Sequence, residues 1–151
     1  TLPATKGILA FGGEARGAQY EVIPDNLIDH RAGVTSPTER LKIVLLTPAY
    51  LSEGWQPVAG NWAKFFNGQP VRLIAASIGV PQRIGGWDVA HNIPKAMRAY
   101  IPAGSVFFFE SDQPIMPPAG PITETPVGEQ PLDRQGFGQI AVGTWHWLDI
   151  P

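Results

Sequence analysis

Prolines at 114, 117, 118, 121, 126 and 131 exclude a helix of ordinary length from most of the stretch between Ser111 and Asp133. Each removes an amide donor and clashes with the carbonyl four residues back. This stretch reads as a long surface connection of the kind that carries interactions. The same punctuation runs through the whole chain, which holds 17 glycines and 16 prolines in 151 residues. Such usage predicts many short elements joined by turns. A hydrophobic share of 44% still provides for a folded core, and the length is about that of one domain.

Chemistry is narrowed by what the chain lacks. Without cysteine there is neither a disulfide framework nor a thiolate metal site. Three histidines without HxH or HxxxH spacing argue against zinc, and no metal or other cofactor is expected. No apolar run is long enough to span a membrane and no signal peptide stands out, so a cytoplasmic protein is expected. A net charge of −2 argues against nucleic-acid binding through one large basic surface. The cations are unevenly placed, however. Arg72, Arg83, Lys95, Arg98 and Arg134 lie in the second half near turns and strand ends, which leaves room for a local basic face.

The segment from Arg134 to Trp145 is a short glycine-rich loop running into an alternating strand. Gly136 and Gly138 allow a sharp bend with amides free of side-chain cover, flanked by Arg134 and the ring of Phe137. A phosphate and a base would use all three features.

Elsewhere, residues 7–11 and 18–23 read as strands joined through Gly12-Gly13, with Arg16 either reaching a ligand or solvated in a turn. Residues 24–37 read as a polar loop. Residues 39–47 form the strongest strand, and their unbroken Ile43–Leu46 run predicts cover on both faces. Asn61–Phe66 reads as a short helix capped by Asn61 and stopped at Gly68, its aromatics in the core. A strand follows at 71–79, then a second glycine pair in Gly85-Gly86-Trp87-Asp88. There Trp87 either stacks on a base or plugs a sheet end. Residues 95–101 and 105–110 read as a β-hairpin around Pro102-Ala103-Gly104. Arg98 and Tyr100 share one face of it, and Lys95 takes the other. In outline this is an α+β chain, a modified ferredoxin-like (RRM-like) βαββαβ unit with long loops and a degraded second helix. Residues 38–151 would hold that unit, and residues 1–37 would be N-terminal strands and a loop, the edge of or the link to a missing N-terminal unit.

Five segments in order carry a resemblance: FGGEAR (11–16), GWQP (54–57), IGGWD (84–88), PKAMRAYIPAGSVFFF (94–109) and RQGFGQIAVGTW (134–145). Together they resemble the third-subunit family of the type III-B CRISPR effector, the Cmr complex, within the RAMP superfamily. The resemblance implies a non-catalytic scaffold that holds the 5′ handle of the crRNA. It also implies docking to the Cas10-type large subunit and to a backbone RAMP subunit. The chain, which starts at Thr1, would be mainly the C-terminal unit of such a protein. Gly136, Phe137 and Gly138 would lie near the handle, with Arg134, Arg16, Arg83, Trp87, Lys95 and Arg98 as further RNA-binding candidates. On this reading Gly138→Val should weaken handle binding and leave the fold intact. Two rival classes remain. One is a RAMP-type metal-independent endoribonuclease using His30, His91 or His146 as general acid or base. The other is a purely protein-docking module using the proline-rich stretch and the hairpin.

Overall fold

A computed structural model describes residues 5–10, 16–22, 34, 36–88 and 91–147. The strands among these residues are β1 (Lys6–Ala10), β2 (Gly17–Glu21), β3 (Thr38–Leu45), β4 (Arg72–Ser77), β5 (Gln82–Asp88), β6 (Ile93–Tyr100), β7 (Val106–Ile115) and β8 (Ile140–Thr144). The central sheet has the order β4-β7-β3-β8, with every neighbouring pair antiparallel. β1 pairs with β2 and β5 pairs with β6, each as a separate two-stranded sheet.

Alternation on the two central strands decides which face is buried. Leu41, Ile43 and Leu45 of β3 and Phe107 and Phe109 of β7 are all but inaccessible. The residues between them, from Lys42 to Phe108, are half-buried. Ile140 and Val142 of β8 join the same core beside their register partners Leu45 and Ile43. Trp62 then packs at 5.2 Å from Phe107 and 5.0 Å from Phe109, and Phe66 meets Phe109 edge-on at 5.0 Å. Rings in these orientations add about 0.5–1.5 kcal/mol per pair beyond their burial.

The expected α+β βαββαβ architecture is not what forms. Among the described residues strand is the dominant regular structure, and the helical turns are short 3-10 segments. Residues Trp62–Phe66 make five residues of 3-10 helix, ended by left-handed Asn67 (φ 55°) and Gly68 (φ 79°). With Pro57 before it and that double reversal after it, the segment has no length in which to build i→i−4 bonds. Its aromatics are in the core as expected, but the Asn61 side chain makes no capping bond.

The place of a second helix is taken by strand and then by packed loop. β7 runs on to Ile115, and the connection beyond it is anchored inside the protein instead of lying over the surface. Ile122 and Leu132 are buried. Glu124 N–H donates to Tyr50 O, Tyr50 N–H to Thr123 Oγ1, and Leu132 N–H to Thr125 Oγ1. A proline-rich segment lacks donors for a ladder, so its remaining amides are satisfied singly by neighbouring loops.

The hairpin expected around Pro102–Gly104 does not pair with itself. β6 turns back on β5, and β7 joins the central sheet. Reciprocal bonds between Ala49 and Ile101 (2.8 and 3.0 Å) tie down the step between sheets, and Gly104 (φ 84°) donates to Leu45 O. The pair Gly85-Gly86 likewise lies inside β5 at a register shift between Ile84 and Gly86. A Cβ at Gly85 would sit 2.6 Å from the sulfur of Met97, which lies across it.

Candidate functional site

The glycine-rich loop begins with a 3-10 turn, Asp133–Gln135, and reverses at Gly136 (φ 85°) and Gly138 (φ 69°). Its amides point inward. Gln135 and Phe137 N–H donate to Leu132 O, Gly136 N–H to Asp133 O, and Gly138 N–H to Pro48 O at 2.9 Å. Gln139 N–H donates to Thr47 Oγ1 (2.9 Å), and that hydroxyl donates in turn to Gly136 O (2.8 Å). All five successive amides are therefore engaged within the protein, and the open anion cradle expected from the sequence does not form. Gly138 is buried, and a Cβ there would fall 2.5 Å from Ile122 O and 2.8 Å from Thr123 Cβ. The glycine is required by the proline-rich segment lying against it.

Phe137 contributes its ring, not its amide. It is half-buried, 5.1 Å from Tyr100, whose ring lies 5.8 Å from that of Tyr50. Arg98 stands two residues before Tyr100 on the same face, 5.9 Å from the Tyr50 ring, and its Nε donates to Glu129 Oε1 at 2.9 Å. That hydrogen bond raises the Arg98 pKa further, partial desolvation works against it, and the Glu129 charge adds to it. Burial raises the Tyr100 phenol, with Glu129 adding to the rise. Loop, β6 and the 126–130 turn thus meet at one aromatic junction.

From that junction β5 and β6 project as a ribbon with little cover. Cross-strand partners share a face. The pairs Trp87↔Pro94 and Ile84↔Arg98 place Trp87 and Arg98 on one side. Arg83↔Ala99 and Gly86↔Lys95 place Arg83 and Lys95 on the other. Arg83 and Lys95 are exposed, and Trp87 is 54% exposed with its indole N–H donating to Asn92 Oδ1. Residues 82–100 carry three cations against one carboxylate, +2 in a chain of net −2.

Four of the nine sequence-predicted residues are therefore gathered on the ribbon, and Phe137 meets its base through Tyr100. Arg134 is exposed in the 3-10 turn, and Arg16 is exposed at the head of the separate β1–β2 sheet. Residues 11–15 of the FGGEAR segment, and His30, lie outside the described residues. His91 is exposed at the ribbon tip, its Nδ1 2.9 Å from Asp88 Oδ2, and His146 is exposed beyond β8. Among the described residues no cluster of three or more potential metal ligands occurs, and no helix is long and apolar enough to cross a membrane.

The family model described as CRISPR-associated protein (Cas_Cmr3) matches residues 2–145. The chain belongs to that family. It is therefore a CRISPR-associated Cmr subunit, and the Cas_Cmr3 match covers both the ribbon and the glycine-rich loop. No curated protein matches the chain. Two features of this Cas_Cmr3 member had no signal in its sequence. Glu129 is one, because nothing in a proline-rich stretch marks which acid will meet Arg98. The other is a groove of about 590 Å³ between the ribbon and residues 127–130.

Proposed function

We propose that this chain is a non-catalytic RNA-binding scaffold of the Cmr complex that holds the 5′ handle of the crRNA. In the same reading it docks to the Cas10-type large subunit and to a backbone RAMP subunit. The observation that carries the proposal is the β5–β6 ribbon, which presents Arg83, Lys95 and Trp87 to solvent in a chain that is acidic elsewhere. Single-stranded RNA is held by cations on its backbone and by aromatic faces against its bases, without an extended basic field. A two-stranded ribbon is also marginal on its own and gains stability from whatever it grips. The glycine-rich loop takes part by fixing the base of the ribbon through Phe137 and Tyr100.

The test uses labelled handle RNA and a scrambled control over a salt series, with anisotropy and a denaturing gel read from the same samples. Handle-preferring binding with intact RNA is expected. Arg83→Glu with Lys95→Glu should lower the salt slope by about 1.4, at about 0.7 per phosphate contact on single strands. An unchanged slope and affinity in a folded variant would sink the role given to the ribbon. A second reading, metal-independent cleavage, has one observation in its favour: the His91–Asp88 pair at the ribbon tip. It predicts cut RNA, lost in His91→Ala.

A further inference from the structure

The groove beside the ribbon has a composition of its own. Its floor is the face of the ribbon that carries Trp87, Pro94, Ala96 and Arg98, its opposite wall is residues 127–130, and Lys95 and the Asp88–His91 pair also line it. Pro94 and Ala96 are short, so between the indole and the guanidinium the floor is low and flat. Arg98 is held back by Glu129, which also pins the wall in place. The volume of about 590 Å³ falls within the range of ligand sites, about 300–1,000 Å³.

We infer that this groove seats one splayed-out nucleotide of single-stranded RNA, its base lying on Trp87 over Pro94 and Ala96. The inference rests on the RNA-binding reading above and adds the part of the RNA that enters. The groove's charges balance, Asp88 and Glu129 against Lys95 and Arg98, and Arg98 is already engaged by Glu129, so the groove offers no surplus of positive charge to a phosphate. A nucleobase is neutral, planar and rich in N–H donors, and it meets acceptors in these carboxylates and in the Gln130 amide. Its flanking phosphates then meet Lys95, which also lines the groove, and Arg83 outside it. An exposed indole with a hydrogen-bonding wall opposite is the arrangement that stacks one face of a base and reads its edge.

The experiment is an abasic scan. A set of handle RNAs, each lacking one base, is titrated against the wild-type chain, alone and assembled in its complex. The same set is run on Trp87→Ala, which empties the stacking position, and on Ala96→Phe, which fills the floor. Both residues are exposed, so the fold should survive. Loss of one particular base should weaken wild-type binding about fivefold to a hundredfold, the range of one base–aromatic stack. In either variant the same deletion should cost less than about twofold, because the contact is already gone. Binding with a flat scan would overturn the groove and leave the RNA-binding reading standing. Absence of binding in both settings would overturn the two together. Protection of the groove by a partner protein in the absence of RNA would replace a nucleotide with a protein segment.

Discussion

Replacing Gly138 with alanine separates a glycine needed for space from one needed only for its backbone angle, because Gly136 supplies the control two residues away. Both have positive φ, 85° at Gly136 and 69° at Gly138. A side chain in that region costs about 1–2 kcal/mol. At Gly136 nothing lies within 4 Å of the added Cβ, so that cost is all Gly136→Ala should show. At Gly138 the Cβ would meet the carbonyl of Ile122 at 2.5 Å and its carbon at 2.7 Å, both backbone atoms that cannot rotate away. Overpacking of this kind adds about 1–3 kcal/mol. Any shift that relieves it weakens the bonds from Gly138 N–H to Pro48 O and from Ile122 N–H to Gly138 O, at about 0.5–1.5 kcal/mol each. The total for Gly138→Ala is about 3–8 kcal/mol, a large part of an ordinary domain's stability. At about 2–4 °C per kcal/mol for a chain of this size, Tm should fall by about 6 °C or more, against about 2–8 °C for Gly136→Ala, and in one set of measurements the Gly138→Ala shift should be at least about 1.5 times the other. Thermal unfolding followed by circular dichroism measures both. Equal shifts for the two variants would refute the steric role of Gly138. The bulkier Gly138→Val must therefore disturb the fold itself, contrary to the expectation from sequence that it would act on RNA binding alone.

Glu124 ties the 52–58 turn to the 3-10 segment through Ser52 N–H, Val58 N–H and Lys64 Nζ. Burial pushes its pKa up, but hydrogen bonds from Lys64 and Ser52 outweigh burial and leave it below the usual value. A depressed carboxylate contributes stability above its unfolded pKa and loses it as pH falls through the folded value. Glu124→Gln should therefore lower stability at neutral pH by about 1.5–3 kcal/mol and flatten the acid side of the stability–pH curve below about pH 5, read by urea unfolding. Thr47→Val removes a hydroxyl that both donates to Gly136 O and accepts from Gln139 N–H, and should cost about 1–3 kcal/mol by the same measurement. Glu129→Gln should speed amide exchange in residues 127–130 relative to the central sheet, because Arg98 then loses its charged partner.

Strand positions were legible because burial on one face leaves a pattern in sequence. Residues 38–45, 72–77 and 140–144 form strands where apolar runs or alternation placed them. The partners of those strands were not legible. Nothing local in 94–109 says that β6 turns back to β5 while β7 enters another sheet; the reciprocal Ala49–Ile101 bonds decide it from outside the segment. The helix at 61–66 had the right aromatic spacing, yet a 3-10 turn puts Trp62 and Phe66 in the core nearly as well and fits between Pro57 and Asn67. Gly136 and Gly138 announced a bend, but not the direction of its amides. That direction depends on Thr47, Pro48 and Leu132, and the first two lie about ninety residues away. Arg83, Trp87, Lys95 and Arg98 were picked out as single residues near turns, and only pairing of β5 with β6 made them one surface.

The proposal that RNA is held on the β5–β6 ribbon can be checked by direct contact. Photo-crosslinking answers it most directly: handle RNA carrying 4-thiouridine is irradiated with the chain, and the adducts are located by mass spectrometry. Adducts should concentrate in residues 82–100 and 127–130 and be lost when Arg83 and Lys95 are both changed to glutamate. Adducts confined to other surfaces, such as the outer edge of β4 beside Trp55, with the ribbon unmarked, would contradict it.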